Sequence, residues 1–140
     1  MTELETAKRC ADAMLANDRA TKAMGISIEI PEPGTAVATM TVRDDMLNGY
    51  DVVHGGLTFA LADTAFAFAT NAYNQQRFAA SAQIDFVRPA FVGDRLTATA
   101  TEDYRGRRNA YYTVEVRNQN DETIALFRGR SVNTGEACLK

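Results

Sequence analysis

Gly55-Gly56-Leu57-Thr58-Phe59-Ala60-Leu61-Ala62-Asp63-Thr64-Ala65-Phe66-Ala67-Phe68-Ala69-Thr70 is the stretch that decides the fold. Alanine and leucine dominate it, it has no proline and no glycine after its first two residues, and it outruns an ordinary strand, so it reads as a helix. It is apolar nearly all round. Such a helix is buried on most sides, wrapped by a sheet or by a partner subunit. In its middle stands one carboxylate, Asp63. Taking an unpaired charge out of water costs several kcal/mol, so this acid points to chemistry. The competing reading is a structural acid satisfied by a hydroxyl or an arginine.

Just before the helix, Asn48-Gly49-Tyr50-Asp51-Val52-Val53-His54 reads as a loop carrying the only histidine of the chain. Gly55 and Gly56, at the helix start, leave backbone N–H groups open to an anionic or strongly polarised oxygen. Glycine there also lets a ligand approach the backbone closely. The blander readings are a tight turn at Asn48-Gly49 and close helix packing at the glycine pair.

The rest of the chain supplies strands. Glu3 to Ala23 reads as one or two amphipathic helices, with Leu4, Ala7, Ala11, Met14 and Leu15 at helical spacing and a break at Asn17-Asp18. Ile26 to Ile30 and Ala36 to Val42 read as a hairpin turning at Pro31-Glu32-Pro33-Gly34. After the long helix, Ala82, Ile84 and Phe86 alternate with Ser81, Gln83 and Asp85, until Pro89 stops the ladder. Leu96, Ala98 and Ala100 alternate with threonines, Tyr112, Val114 and Val116 alternate with polar residues, and Ile124 to Val132 is a last strand. An α+β fold follows: an antiparallel sheet whose one apolar face wraps a long central helix.

At 140 residues, with no repeats or linkers, residues 1–140 read as one domain. A formal net charge of −3 argues against broad nucleic-acid binding. Cys10 and Cys138 have no metal-ligand spacing, and one histidine does not make a zinc set, so reduced thiols and no metal are expected. The N-terminus lacks a signal-peptide pattern, and the apolar helix is too short to span a bilayer, so a cytoplasmic location without membrane contact is expected.

Asn48, His54-Gly55-Gly56, Leu61-Ala62-Asp63-Thr64-Ala65-Phe66-Ala67, Ile84-Asp85-Phe86-Val87-Arg88-Pro89-Ala90 and Gly93-Asp94-Arg95-Leu96 occur in that order. The pattern resembles the hot-dog fold acyl-CoA thioesterases, and among them the phenylacetate-degradation family, over about Met24 to Arg130. His-Gly-Gly alone is a weak motif. With an asparagine six residues before it and an acid in the middle of the following helix, it becomes specific. The resemblance implies hydrolysis of phenylacetyl-CoA or its ring-hydroxylated forms, with no cofactor. It makes Asp63 the base or nucleophile, Gly55 the backbone donor to the thioester carbonyl and Asn48 a second contact to it. His54 becomes an orienting residue, Gly56 a substrate contact and Ser81 a helper to the attacking water. Ser81 shares a strand face with Gln83 and Asp85, so either that face lines the site or a bulge re-aims it.

Those roles carry a geometric consequence. Gly55 and Asp63 are eight residues apart, so one helix separates them by roughly 12 Å, whereas a reacting carbonyl lies within about 3 to 3.5 Å of its nucleophile. Two such helices antiparallel across a two-fold axis would bring Asp63 of each opposite Gly55 of the other. A homodimer with two shared sites is expected, and the resemblance makes a homotetramer plausible.

Two groups remain open at this level. Arg105, Arg107 and Arg108 read either as a solvated basic turn or as contacts to CoA phosphates. Phe66, Phe68 and Tyr73 read as core packing or as the wall of an aromatic acyl pocket. The alternative functions on the same fold are an acyl-CoA-binding module without turnover, against which Asp63 counts, and a hydratase or dehydratase, which a histidine on the glycine loop fits poorly. No Gly-x-Ser-x-Gly elbow or phosphate loop is present.

Overall fold

The computed structural model describes residues 1–140. In chain order the elements are α1 (Glu3–Ala16), α2 (Arg19–Ala23), β1 (Ser27–Glu32), β2 (Thr35–Thr41), α3 (Gly55–Thr70), β3 (Arg77–Phe86), β4 (Arg95–Arg105), β5 (Asn109–Arg117) and β6 (Thr123–Asn133). A short 3-10 helix, Asp44–Met46, precedes the histidine loop. The six strands form one antiparallel sheet in the order β1-β2-β4-β5-β6-β3. This is the hot-dog fold, with α3 as the helix that the sheet wraps.

Small side chains let the helix lie close to the sheet. Ala36 pairs with Ala100 and Ala38 with Ala98 across β2 and β4, and all four are fully buried. Further along the sheet the filling side chains are large: Phe66 of α3 packs its ring near Tyr112 of β5 and Phe127 of β6, at centroid distances of 5.6 and 5.8 Å. Gly129 of β6 faces the same ring. A Cβ at that position would lie 2.7 Å from the Phe66 ring, so the sheet is scooped out where the helix carries its bulk.

The N-terminal region is two helices, divided where Asp18 caps α2 by accepting from the Thr21 N–H. Strand β1 runs on through Pro31 and Glu32, past the expected turn, and the chain reverses at Pro33-Gly34 with Gly34 at φ 82°. Proline is tolerated there because β1 is an edge strand and its missing N–H breaks no ladder. β3 is the other edge. Its pairing puts Ala82, Ile84 and Phe86 on the face of Gly129, Phe127 and Ala125, as the alternation suggested. Most of the strand is nevertheless exposed, including Phe78 and Phe86.

For the long helix the expectation left open whether a sheet or a partner subunit covers it, and the sheet alone covers it in part. The sheet buries Leu61, Ala62, Ala65, Phe66, Phe68 and Ala69, but Gly56 is exposed and Ala60, Asp63, Thr64 and Ala67 are only partly covered. One chain therefore leaves a stripe of α3 open.

Gly129→Ala is expected to lower stability by about 1–3 kcal/mol, the usual cost of overpacking, because its Cβ would stand 2.7 Å from the buried Phe66 ring. Urea denaturation checks it; an unchanged midpoint would show that the ring repacks freely.

Candidate active site

The loop before α3 is held at four points. The Asn48 N–H donates to the Val52 carbonyl at 2.8 Å, Val53 N–H to Ala90 at 2.8 Å, and His54 N–H to Met46 at 2.8 Å, while Asp51 sits at φ 59° and donates back to the Asn48 carbonyl. The Asn48 side-chain oxygen accepts from the Tyr50 and Val52 N–H groups at 2.9 and 3.4 Å. Its NH2 group makes no bond within the chain and is left for an outside acceptor.

His54 is the N-cap of α3. Its Nδ1 accepts from the Gly56 N–H at 2.9 Å, which leaves the ring hydrogen of the neutral imidazole on Nε2. The two glycine N–H groups are thus unequal. Gly56's is consumed by His54, contrary to the expectation that both are open, and a Cβ on Gly56 would lie 3.0 Å from Nδ1. Gly55's N–H, at the first helical position, has no internal partner. The Phe86 ring lies over Gly55, 3.2 Å from where a Cβ would stand. No sequence pattern linked these two residues, since the contact joins a helix start to the far end of an edge strand.

Asp63 lies one third of the way around the helix from the sheet-facing residues, on the open stripe. It is partly buried, and desolvation pushes its carboxyl above the usual 3.8. It opens onto a groove of about 290 Å³ whose walls include Met14, Phe66, Ala67, Arg77 and Ala79. Gly55 opens onto a different groove, of about 270 Å³, with Val52, Thr58, Phe86 and Arg88. One chain keeps the acid and the free N–H in separate grooves, as their spacing along the helix requires.

Ser81 is brought to neither. The extra residue of a β-bulge falls between Ala79 and Ser81, yet Ser81 still pairs opposite Arg130. It shares a groove with Gln83, Tyr111, Arg128 and Arg130, on the side of the sheet away from α3. Within one chain the bulge does not turn it toward Asp63.

The basic turn also resolves. Arg105 is committed internally: it donates to the Thr70 carbonyl at 3.1 Å and to Gln75 Oε1 at 2.9 Å, and its guanidinium sits 3.9 Å over the Tyr73 ring. Only Arg107 and Arg108 keep exposed side chains. Tyr73 in turn donates to Glu102 at 3.0 Å, its hydroxyl pushed up to about 12 by burial and then by that carboxylate. Tyr73 therefore belongs to a tie at the end of α3, Phe68 is buried in the core, and of the three aromatic candidates only Phe66 lines the Asp63 groove. No three His, Cys, Asp or Glu side chains gather as a metal would require, and no helix is long and apolar enough to cross a membrane.

Two stability predictions come from this geometry. His54→Ala removes the cap and is expected to cost about 0.5–2 kcal/mol, whereas His54→Asn, which also caps well, keeps most of it; thermal melts of the pair decide. Folding raises the Asp63 pKa, so the ionised acid is worse off folded than unfolded. Stability is lost as pH rises above 3.8 and through the folded pKa. Asp63→Asn should therefore melt higher than the natural protein at pH 7, with the gap closing as the pH falls below 3.8. A gap independent of pH would refute this origin.

Residues 50–125 match the family model of the thioesterase superfamily. The chain is 49% identical over 125 residues to the acyl-coenzyme A thioesterase PaaI of Escherichia coli, covering 89% of each chain. The structure of the E. coli PaaI protein from the phenylacetic acid degradation operon superposes with a TM-score of 0.95 at 46% identity, over 97% of this chain and 99% of that one. A mutant structure of the phenylacetic acid degradation protein PaaI from Thermus thermophilus superposes with a TM-score of 0.79 at 38% identity, over 83% and 99%. The chain belongs to the thioesterase superfamily, as a homologue of the PaaI acyl-CoA thioesterases.

Proposed function

We propose that this protein is an acyl-CoA thioesterase that hydrolyses aryl-acetyl-CoA esters, phenylacetyl-CoA and its ring-hydroxylated forms, to the free acid and CoA. The observation that carries the reading is the division of α3: an acid with a raised pKa on its open stripe, beside a groove of mixed apolar and polar walls, and a free N–H at its start, in another groove. The relationship to PaaI supplies the substrate class.

The site is completed by a second copy of the chain. Stacking the open stripes of two α3 helices antiparallel covers Ala60, Asp63, Thr64 and Ala67 and sets Asp63 of one subunit near Gly55 of the partner subunit. The thioester carbonyl then lies between them, its oxygen toward the Gly55 N–H at the positive end of the helix and its carbon within about 3 to 3.5 Å of the nucleophile. The Asn48 NH2 supplies a second donor to that oxygen. His54 acts as a positioning residue: by taking the Gly56 N–H it fixes the first turn so that the Gly55 N–H stands free.

Two routes use this geometry. In one, the Asp63 carboxylate removes a proton from water, whose oxygen adds to the carbonyl carbon. In the other, the carboxylate adds directly, and water then cleaves the resulting anhydride. In both, negative charge collects on the carbonyl oxygen, where preorganised N–H donors stabilise it. Collapse expels the CoA thiolate, which takes up a proton from the medium. Desolvation makes Asp63 a stronger base than a surface acid.

Thiol release from phenylacetyl-CoA tests the reading. Asp63→Ala is expected to remain folded and to lose on the order of 10² to 10⁴ in kcat; near-normal turnover removes Asp63 from the mechanism. Mixing Asp63→Ala with Asn48→Ala subunits places both lesions in one of the two sites of each heterodimer. Free exchange at equal amounts should then restore roughly a quarter of natural activity. Verified heterodimers without recovery would mean that each site lies within one chain.

A further inference from the structure

The groove beside Asp63 follows one stripe of α3 through Phe66, Ala67 and Thr70, a rise of roughly 10 Å from the acid. Besides Arg77, Phe78 and Ala79 at the start of β3, its walls include an element to which neither the chemistry nor the motif gives a role. Ala13 and Met14, at the end of α1, line it. α1 is firmly placed. A capping box between Thr2 and Glu5 closes its first turn, and Ala7, Cys10 and Ala11 are buried. Leu4 and Met14 pack against the core on the same stripe. Met14 thus arrives at the groove by helical periodicity on a docked helix, and its unbranched side chain lines the same space as Ala67 and Ala79.

The volume of about 290 Å³ falls at or just below the small end of small-molecule pockets. Within one chain this is space on the scale of a single-ring acyl group, and the second copy of the chain closes it from the side of Asp63 and Ala67. We infer that Ala13 and Met14 are specificity-determining residues: the end of α1 sets the largest acyl group that can lie beside Asp63, and the natural fit is a single-ring aryl-acetyl group. The inference rests on the thioesterase reading.

The test compares kcat/KM for 1-naphthylacetyl-CoA and phenylacetyl-CoA in the natural protein and three variants, with folding followed by circular dichroism. Met14→Ala, which removes the side chain beyond Cβ, is expected to raise the naphthyl-to-phenyl ratio about tenfold, the scale on which apolar pockets discriminate. Met14→Leu conserves volume and should leave the ratio within about twofold. Ala13→Leu narrows the wall and should lower it. A ratio unmoved in folded Met14→Ala, or moved as far by Met14→Leu, overturns the assignment. If Met14→Ala does not fold, Ala13→Leu decides, an unchanged ratio again overturning it. No hydrolysis of either ester by the natural protein is the separate result that defeats the thioesterase reading itself.

Discussion

A helix with no polar side must be covered all round, and a single sheet covers it on one side only. That mismatch governs the molecule. α3 is apolar from Gly55 to Thr70 except for Asp63 and the threonines. Of the threonines, Thr64 turns its hydroxyl back to the Ala60 carbonyl at 2.6 Å and Thr70 bonds Ser131 at 2.7 Å. Asp63 has no such internal outlet. The uncovered stripe is where a carboxylate can be half desolvated and still be reached, a combination that neither a closed core nor a free surface provides.

The two ends of α3 are held differently. The C-terminal end is tied down. Asn71 bonds the Ala67 and Arg77 carbonyls and accepts from the Arg77 N–H, Arg105 holds the Thr70 carbonyl, and Glu102 gathers the hydroxyls of Tyr73 and Tyr112. The N-terminal end is left with one donor unspent. Its neighbours are fixed by His54 and by the anchored loop, so the free N–H has a defined direction without being used up.

Much of this was legible in the chain and some was not, for local reasons. The α3 helix and the alternation in β4, β5 and β6 could be read because each pattern reports a single buried face. How much of the helix its own sheet covers could not, because an all-round apolar pattern does not say which chain does the covering. Arg105 read as a surface charge because Thr70, Gln75 and Tyr73 lie some thirty residues away in sequence. The unequal fates of the Gly55 and Gly56 N–H groups depend on the rotamer of His54. The wall made by α1 was hidden because Ala13 and Met14 carry no chemistry of their own; only docking gives them a place.

The bulge at Ala80 has a meaning for how this chain tolerates crowding by other chains. β3 is a long, exposed edge with apolar side chains, the kind of surface on which unrelated strands add and fibrous aggregates start. One extra residue in its course bends the backbone and interrupts the regular repeat of N–H and C=O groups. A straight strand from a misfolded neighbour can follow such an edge for only part of its length. The bulge therefore limits indiscriminate strand addition along this edge.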